Sequence, residues 1–177
     1  MLDPSPSASS QPVRDIIGLI MALEIEHKFL LANDDWRQEV QQSIYYKQGY
    51  LSNNPMTSVR VRISDDQAWI NIKSATIGNH RHEFEYEIPL QDAQQLLDEL
   101  CYKPLIEKTR HFVHRQQHIW EIDEFKGENQ GLIVAEIELS ALEEQFAKPD
   151  WLGLEVTEDL RYYNNNLCKN PFKNWNK

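Results

Sequence analysis

The segment Leu23–Leu31 reads LEIEHKFLL, and its apolar and charged residues alternate. Its odd-numbered positions are apolar except for His27, whereas Glu24, Glu26 and Lys28 occupy even positions. A period of two is typical of a β-strand that presents one apolar face and one polar face. We therefore predict a strand whose second face carries both acidic and basic groups.

We also predict later segments as strands. Their ranges are 44–51, 58–64, 68–74, 81–88, 105–115, 119–125 and 132–140. Most show the same alternation, whereas 44–51 is predicted from its Tyr and β-branched content, and 105–115 is poorly patterned because Lys108 and Arg110 share a face with Ile106 and Phe112. In 58–64, for example, three β-branched residues alternate with Arg60 and Arg62, so the two kinds of side chain point to opposite faces. The charged faces of these strands carry Arg60, Arg62, Lys73, Glu85, Glu87, Lys108, Arg110, Glu121, Asp123, Glu136 and Glu138.

Helical signals occur between these strands. The segment 90–101 places Ala93, Leu96, Leu97 and Leu100 at helical spacing, which predicts an amphipathic helix with an apolar face to cover. Capping residues predict shorter helices over 34–40 and over 140–147, and a further helix is predicted near 158–167.

The charged faces decide between two architectures. A single charged face is usually the solvent side of a half-buried strand. Here, however, the faces repeat as acidic or basic pairs, whereas solvent faces normally mix many polar residue types. We therefore predict an α+β fold, in which a closed antiparallel eight-stranded β-barrel has its charged faces inside and helices packed on its outside. The lumen must hold water or ions, because burial of unpaired charge is very unfavourable.

The residue types of this inner wall suit a particular ligand. Carboxylates bind Mg²⁺ or Mn²⁺ through oxygen, while Lys and Arg bind phosphate oxygens. A wall with both groups is typical of a site for a metal-bound polyphosphate. Other sites are not predicted: the sequence has no P-loop, G-x-S-x-G or H-E-x-x-H motif, and His111, His114 and His118 would diverge along a strand.

Composition indicates one globular domain. The chain has 177 residues, of which 41% are apolar and 26% are charged. The 18 Lys and Arg against 28 Asp and Glu give a net charge of −10, which argues against nucleic acid and anionic membranes as partners. We expect a single tunnel domain over residues 21–177 and a flexible N-terminal extension over residues 1–20, with Met21 as an alternative start.

The cysteines and apolar runs predict a cytoplasmic protein. Cys101 and Cys168 lie far apart and outside any C-x-x-C or Cys/His pattern, so neither a disulfide framework nor a zinc cluster is indicated. No apolar run reaches the ~18 residues that span a bilayer, and Ile16–Leu23 lacks the basic start and cleavage site of a signal peptide. The oligomeric state stays open.

At this point the order of the charged residues resembles a known family. The run Glu24–Lys28 is similar to the E-x-E-x-K signature of the CYTH, or triphosphate tunnel metalloenzyme, superfamily. In that family the signature precedes an R-x-R strand, a lysine strand, an acidic strand, a K-x-R strand and a late E-x-E strand. The matching series here is Arg60/Arg62, Lys73, Glu85/Glu87, Lys108/Arg110 and Glu136/Glu138. The closing run at 156–162 also resembles the family's C-terminal segment, so the likeness covers about residues 22–168.

The resemblance implies a role for each of these residues. Glu24, Glu26 and Lys28 would form the catalytic set. One or two Mg²⁺ or Mn²⁺ ions would be held by Glu24, Glu26, Asp123, Glu136 and Glu138. The phosphates would be bound by Lys28, Arg60, Arg62, Lys73, Lys108, Arg110 and Arg161. Glu85, Glu87 and Glu121 would support the basic residues.

The resemblance also implies an activity, namely metal-dependent hydrolysis of a small-molecule triphosphate. We expect inorganic triphosphate to be split into pyrophosphate and phosphate. A class IV type adenylyl cyclase, a thiamine triphosphatase and a non-enzymatic polyphosphate-binding module stay open as alternatives. A cyclase would need a pocket for adenine, and Tyr45, Tyr46 and Trp151 are the candidate residues that could stack on a base.

Overall fold

The computed structural model describes residues 25–52, 54, 56–74, 82–141 and 143–175. Its strands are β1 (Ile25–Leu31), β2 (Gln42–Tyr50), β3 (Thr57–Ser64), β4 (Gln67–Ser74), β5 (Glu83–Glu87), β6 (Ile106–Arg115), β7 (His118–Phe125), β8 (Ile133–Leu139) and β9 (Leu152–Glu155). They form one antiparallel sheet in the order β5-β4-β3-β2-β6-β7-β8-β1-β9. The predicted N-terminal extension and Glu24 lie outside the described residues.

The predicted α+β class with a charged inner sheet face is confirmed, but two details of the barrel differ. The sheet has nine strands instead of eight, because the short β9 pairs with β1. Only four residues long, β9 has no alternation that could reveal it in the sequence. In addition, the described residues show no pairing between β5 and β9, so the hydrogen-bonded order is open where closure was predicted.

The outer face of the sheet carries the main apolar core. Odd-numbered residues of β1, β6 and β8 pack with even-numbered residues of β7, as the predicted alternation requires. Trp36 and Trp151 cover this layer from the connecting segments, and both are fully buried. The buried members of the cluster are Ile25, Phe29, Trp36, Val113, Trp120, Ile122, Ala135, Ile137, Leu139 and Trp151.

The predicted helix over 90–101 is confirmed and packs on the outside. It consists of α1 (Leu90–Gln95) and a π-helical turn, Leu96–Leu100. Ala93 and Leu97 are buried against Val61 and Ala68, on the sheet face opposite Arg60.

The helix predicted over 140–147 is wrong, because no helix forms in the described residues of that segment. The carboxylate of Glu144 accepts hydrogen bonds from both the backbone N–H and the Oγ of Ser140, each at 2.6 Å, and so closes a single turn. Phe146 then packs against Phe29 and Trp120. The chain leaves toward Pro149, which disfavours helical conformation in the residue before it.

The two remaining predicted helices are shorter than expected. The segment over 34–40 forms a 3₁₀ turn, Asp35–Glu39. The segment near 158–167 divides into a 3₁₀ turn, Leu160–Tyr162, and α2 (Asn164–Leu167), with extended backbone at Tyr163 between them. All helices in the described ranges are too short to cross a lipid bilayer.

The C-terminal segment covers one end of the inner sheet face. Leu167 and Cys168 are buried against Ile106, Phe125 and Val134, which lie on the same inner face as the charged residues further along their strands. The charged part of the inner face is therefore bordered at this end by a packed apolar cluster.

Candidate functional site

A cavity of about 1000 Å³ lies against the inner face of the sheet. Most of the charged residues predicted for the site line this cavity. They are Glu26, Lys28, Arg60, Arg62, Lys73, Glu85, Lys108, Arg110, Glu121, Glu136 and Glu138. The alternation in the sequence thus placed these side chains on the correct face.

The strand register explains why the acidic residues gather. Across β1 and β8, Glu26 is directly opposite Glu138 and Lys28 is directly opposite Glu136. Across β7 and β8, Glu121 is opposite Glu136. Directly opposed side chains are only about 5 Å apart at their Cβ atoms, so carboxylates from three strands come together around one lysine.

Lys28 is that lysine, and it is almost completely buried. Its ammonium group donates to Glu26 and, at 2.6 Å, to Glu136. It also lies 4.9 Å from the centre of the Tyr163 ring. Burial alone would lower the pKa of Lys28, but the adjacent Glu136 and Glu26 carboxylates raise it above its ordinary value. Lys28 therefore stays protonated in the middle of the acidic wall.

The two carboxylates beside Lys28 differ in their protonation. Burial and the neighbouring Glu136 raise the pKa of Glu26 to about 7. For Glu136, burial is outweighed by Lys28, Arg110 and Lys108, which hold its pKa well below the usual range. Negative charge is therefore crowded at Glu26, where an added cation would stabilise the ionised form.

Asp123 lies behind the cavity wall. It is fully buried, its Oδ2 accepts from Lys108 and from Arg110 at 2.7 Å, and its Oδ1 accepts from Arg110 Nε at 2.7 Å. Arg110 also donates to Glu121 and, at 2.9 Å, to Glu136. Both oxygens of Asp123 are occupied, so this carboxylate orients two basic residues and does not face the cavity as the predicted metal ligand should.

On the other side of the cavity, Arg62 is held between two aromatic rings. Its guanidinium carbon lies 5.3 Å from the centre of the Tyr46 ring and 5.2 Å from that of Trp69. Its Nη2 donates to Glu85 at 3.1 Å. Burial and the adjacent Arg60 lower the pKa of Arg62. Arg60 and Lys73 line the cavity together with Arg62, so positive charge is concentrated here.

Two further predicted site residues lie outside the cavity lining. Arg161 binds Asp159 at 2.6 Å and lies 5.0 Å from the Trp175 ring, because the chain turns at Tyr163 instead of continuing as the predicted helix. Glu87 is exposed on the edge strand β5 and is not part of the cavity lining. Glu24, outside the described residues, stays a prediction.

Sequence reasoning also missed several residues that line the cavity. Gln48 and Tyr50 share the inner face of β2, and Asn71 lies on that of β4. Their even spacing on β2 is visible in the sequence, but uncharged side chains carry no signal comparable to that of the charged pairs. His118, also in the lining, binds Glu144 at 2.9 Å.

The predicted base-stacking residues do not form an adenine pocket. Trp151 is buried in the outer core, where no ligand can reach its ring. Tyr45 points away from the inner face and lies beside Lys126, and Tyr46 is in contact with Arg62. Of the three, Tyr46 alone lines the cavity.

The acidic wall has the donor chemistry of a site for a hard divalent cation. Within the described ranges no three carboxylate, imidazole or thiol groups converge as a preformed metal site, since Lys28 occupies the space between Glu26 and Glu136. Glu26, Glu136 and Glu138 nevertheless offer oxygen ligands from adjacent strands, which Mg²⁺ and Mn²⁺ prefer. The crowding of carboxylates at Glu26 supports the same interpretation.

Comparison with known sequences agrees with this arrangement. A model of the CYTH domain matches residues 22–169. An inorganic triphosphatase of Acetivibrio thermocellus is 46% identical over 155 residues, which cover 88% of this chain and 99% of that protein. An inorganic triphosphatase of Nitrosomonas europaea is 31% identical over 150 residues, or 82% of this chain and 96% of that protein.

Solved structures show a similar fold. A crystal structure of an inorganic triphosphatase superposes with a TM-score of 0.64 at 29% identity, and the match covers 82% of this chain and 93% of the other. A Hippeastrum protein, described as a putative adenylyl cyclase with a dominant triphosphatase activity, gives a TM-score of 0.53 at 17% identity, with coverages of 68% and 81%. The second likeness concerns the fold alone.

Proposed function

The chain belongs to the CYTH domain family, as its sequence predicted, and from this membership we propose that it hydrolyses inorganic triphosphate to pyrophosphate and phosphate with the help of Mg²⁺ or Mn²⁺. Two relatives that match over most of their length are inorganic triphosphatases. The reaction also fits the cavity, where recognition can rest on charge alone.

The observation that carries the proposal is the meeting of two charged walls in one cavity. Basic residues of β3, β4 and β6 share it with acidic residues of β1, β7 and β8. Arg60, Arg62 and Lys73 would bind non-bridging phosphate oxygens, with the arginines acting as bidentate donors. Such donors stabilise the charge that develops on the transferring and leaving oxygens.

The acidic wall would hold the divalent cation. Glu26, Glu136 and Glu138, together with Glu24, would supply its ligands, and the bound cation would neutralise phosphate charge and activate the attacking water. Lys28 is held between Glu26 and Glu136 within this wall, and its ammonium would stabilise a phosphate oxygen. Asp123 would act indirectly by fixing Lys108 and Arg110.

Product analysis tests the proposal. Purified protein is incubated with inorganic triphosphate, thiamine triphosphate or ATP, with Mg²⁺, with Mn²⁺ or with excess chelator, and the products are resolved. We expect fastest phosphate release from inorganic triphosphate, and none in chelator. Glu138→Gln should abolish most turnover, while Glu99→Gln on the outer helical turn serves as the matched control.

Each alternative gives a different result. Cyclic AMP and pyrophosphate from ATP, formed faster than phosphate from inorganic triphosphate, would establish a cyclase. Hydrolysis of thiamine triphosphate faster than that of inorganic triphosphate would identify the protein as a thiamine triphosphatase. Binding of triphosphate without turnover under every metal condition would leave a polyphosphate-binding module.

We also propose that the protein works in the cytoplasm. Cys101 and Cys168 are both free thiols and are buried, which suits a reducing compartment.

A further inference from the structure

The wall formed by β2, β3 and β4 contains buried polar atoms that lack partners. Among the described residues, such atoms occur on four side chains of this wall: Gln48 Nε2, Arg60 Nε, Arg62 Nε and Asn71 Oδ1. All four residues line the cavity. Buried polar groups in folded proteins are nearly always hydrogen-bonded, so a group of unpaired ones requires an explanation.

These four residues are neighbours in the sheet. Gln48 of β2 is directly opposite Arg62 of β3, and Arg60 of β3 is directly opposite Asn71 of β4. Since opposed and diagonal side chains lie within about 8 Å of each other, the unpaired atoms belong to one patch of the wall.

The patch is rich in donors. Three of the unpaired atoms are nitrogens that carry hydrogen: Gln48 Nε2, Arg60 Nε and Arg62 Nε. Each can therefore donate a hydrogen bond to an oxyanion. Asn71 differs, because its Nδ2 donates to Glu85 and its unpaired atom is an acceptor. Asn71 is thereby fixed in place but is not suited to bind a phosphate oxygen.

Gln48 is the most informative of the donors. It is 1% exposed, and within the described part of the chain its amide nitrogen has no hydrogen-bond partner. An unpaired buried donor destabilises the protein without ligand, and pairing it upon binding removes that penalty. Positive charge is already crowded at Arg60 and Arg62, so an uncharged donor can add a hydrogen bond here without adding repulsion.

We propose that Gln48 is a substrate-binding residue that donates its Nε2–H to a non-bridging oxygen of the triphosphate beside Arg60 and Arg62. The inference rests on the proposed function for the identity of the ligand. Gln48 is thus a neutral donor beside the charged residues that were predicted from the sequence. It would help to hold one phosphoryl group against β2 and β3.

The test is Gln48→Met, which keeps the length of the side chain and removes its donor. We expect the KM for inorganic triphosphate to rise about tenfold with little change in kcat, because the bond is present in both bound substrate and transition state. The Tm of the ligand-free variant should equal or exceed that of the wild type, since an unpaired amide is replaced by an apolar group. Gln42→Met, at an exposed position of the same strand outside the cavity lining, should change neither value.

Calorimetric titration with inorganic triphosphate, in chelator and with Mg²⁺, measures binding independently of turnover. A wild-type protein that binds triphosphate but does not hydrolyse it would contradict the proposed function and leave the Gln48 comparison valid. Gln48→Glu provides a second variant, because its carboxylate should pair with Arg62, maintain the Tm and weaken binding more than Gln48→Met.

Two results would overturn the inference. One is unchanged affinity and KM in both Gln48 variants. The other is a fall in the Tm of the ligand-free variants that accounts for their loss of binding, since Gln48 would then support the fold and not the substrate.

Discussion

At the scale of single residues, two arginines that were both predicted to bind phosphate differ in where the structure places them. Arg62 lines the cavity and is held between Tyr46 and Trp69 with its Nη2 on Glu85. The two rings restrict the guanidinium before substrate binds, which lowers the entropy lost on binding. Arg161, in contrast, is paired with Asp159 away from the cavity lining.

This difference predicts that substitution by alanine will reduce activity at Arg62 but not at Arg161. Arg62→Ala should lower kcat/KM for inorganic triphosphate roughly ten- to hundredfold, corresponding to about 1.5–3 kcal/mol for a hydrogen bond to a charged group. Arg161→Ala should leave kcat/KM within about twofold of the wild type. Steady-state kinetics of the two variants tests this difference, and a comparable loss in Arg161→Ala would place Arg161 on the phosphate path together with Arg62.

The site residues also show what a sequence can predict. Alternation with a period of two determines which face a side chain occupies, so residues such as Lys28, Arg60 and Glu136 were placed correctly. The alternation does not determine whether a side chain on that face is exposed to the cavity or buried behind its wall. Asp123 shares the correct face, but Lys108 and Arg110 enclose it, and only the folded register shows this. Gln48 was missed because an uncharged side chain carries no comparable signal.

At the scale of elements, the helix formed by α1 and the following π-helical turn stabilises the outside of the charged wall. Leu97 is fully buried against β3 and β4, whereas Leu100 on the same turn is 63% exposed. The helix was predictable because its apolar residues recur at helical spacing. Its apolar contacts lie on the opposite face of β3 from Arg60 and Arg62.

Leu97→Ala should therefore lower the free energy of unfolding by about 2–5 kcal/mol, because it leaves a cavity in a packed cluster. Leu100→Ala, which removes an exposed side chain, should change it by less than about 0.5 kcal/mol. Urea denaturation measures both. At temperatures where each variant is folded, kcat should stay close to that of the wild type, and a selective loss of kcat in Leu97→Ala would show that the helix influences the cavity wall.

The segment 140–147 shows the limit of local sequence signals. A capping box is a local pattern, but here the carboxylate that returns to Ser140 comes from Glu144, which also binds His118 on β7. Packing of Phe146 against Phe29 and Trp120 then holds this part of the chain outside any helix. These contacts are long-range, so no reading of the segment alone could have found them.

The same turn predicts a pH dependence. Hydrogen bonds from Ser140 and from His118 lower the pKa of Glu144 from 4.5 to about 2. A carboxylate whose pKa is lowered by folding stabilises the protein above its unfolded pKa, and the effect disappears as pH falls from about 4.5 toward 2. Glu144→Gln should therefore reduce the Tm at pH 7, and the difference from wild type should shrink below pH 4.5. Glu143→Gln, at the exposed neighbouring residue, is the control, and a pH-independent difference for Glu144→Gln would rule out the ionised carboxylate as the cause.

At the scale of the whole molecule, the two signs of charge are distributed unevenly. The chain carries a net charge of −10, yet six of its 18 Lys and Arg residues line the cavity: Lys28, Arg60, Arg62, Lys73, Lys108 and Arg110. Because carboxylates line the opposite wall of the same cavity, attraction for an anion is local to the basic wall around Arg60 and Arg62, while the protein as a whole repels large polyanions. This arrangement favours a compact phosphate compound that fits inside over a nucleic acid that would have to lie on the outside.

The extent of the fold indicates which part of the chain is needed for folding and activity. The CYTH match begins at residue 22, and the curated relative from Acetivibrio thermocellus is covered over 99% of its length by 88% of this chain. The cavity lining, the sheet and its packed clusters are all built from residues after the predicted extension over 1–20.

A protein that begins at Met21 keeps Glu24 and every one of these contacts. Its kcat/KM for inorganic triphosphate and its Tm should therefore match those of the full chain. Parallel kinetics and thermal denaturation of the two proteins measure this, and loss of folding or activity on truncation would show that residues 1–20 contact the tunnel domain.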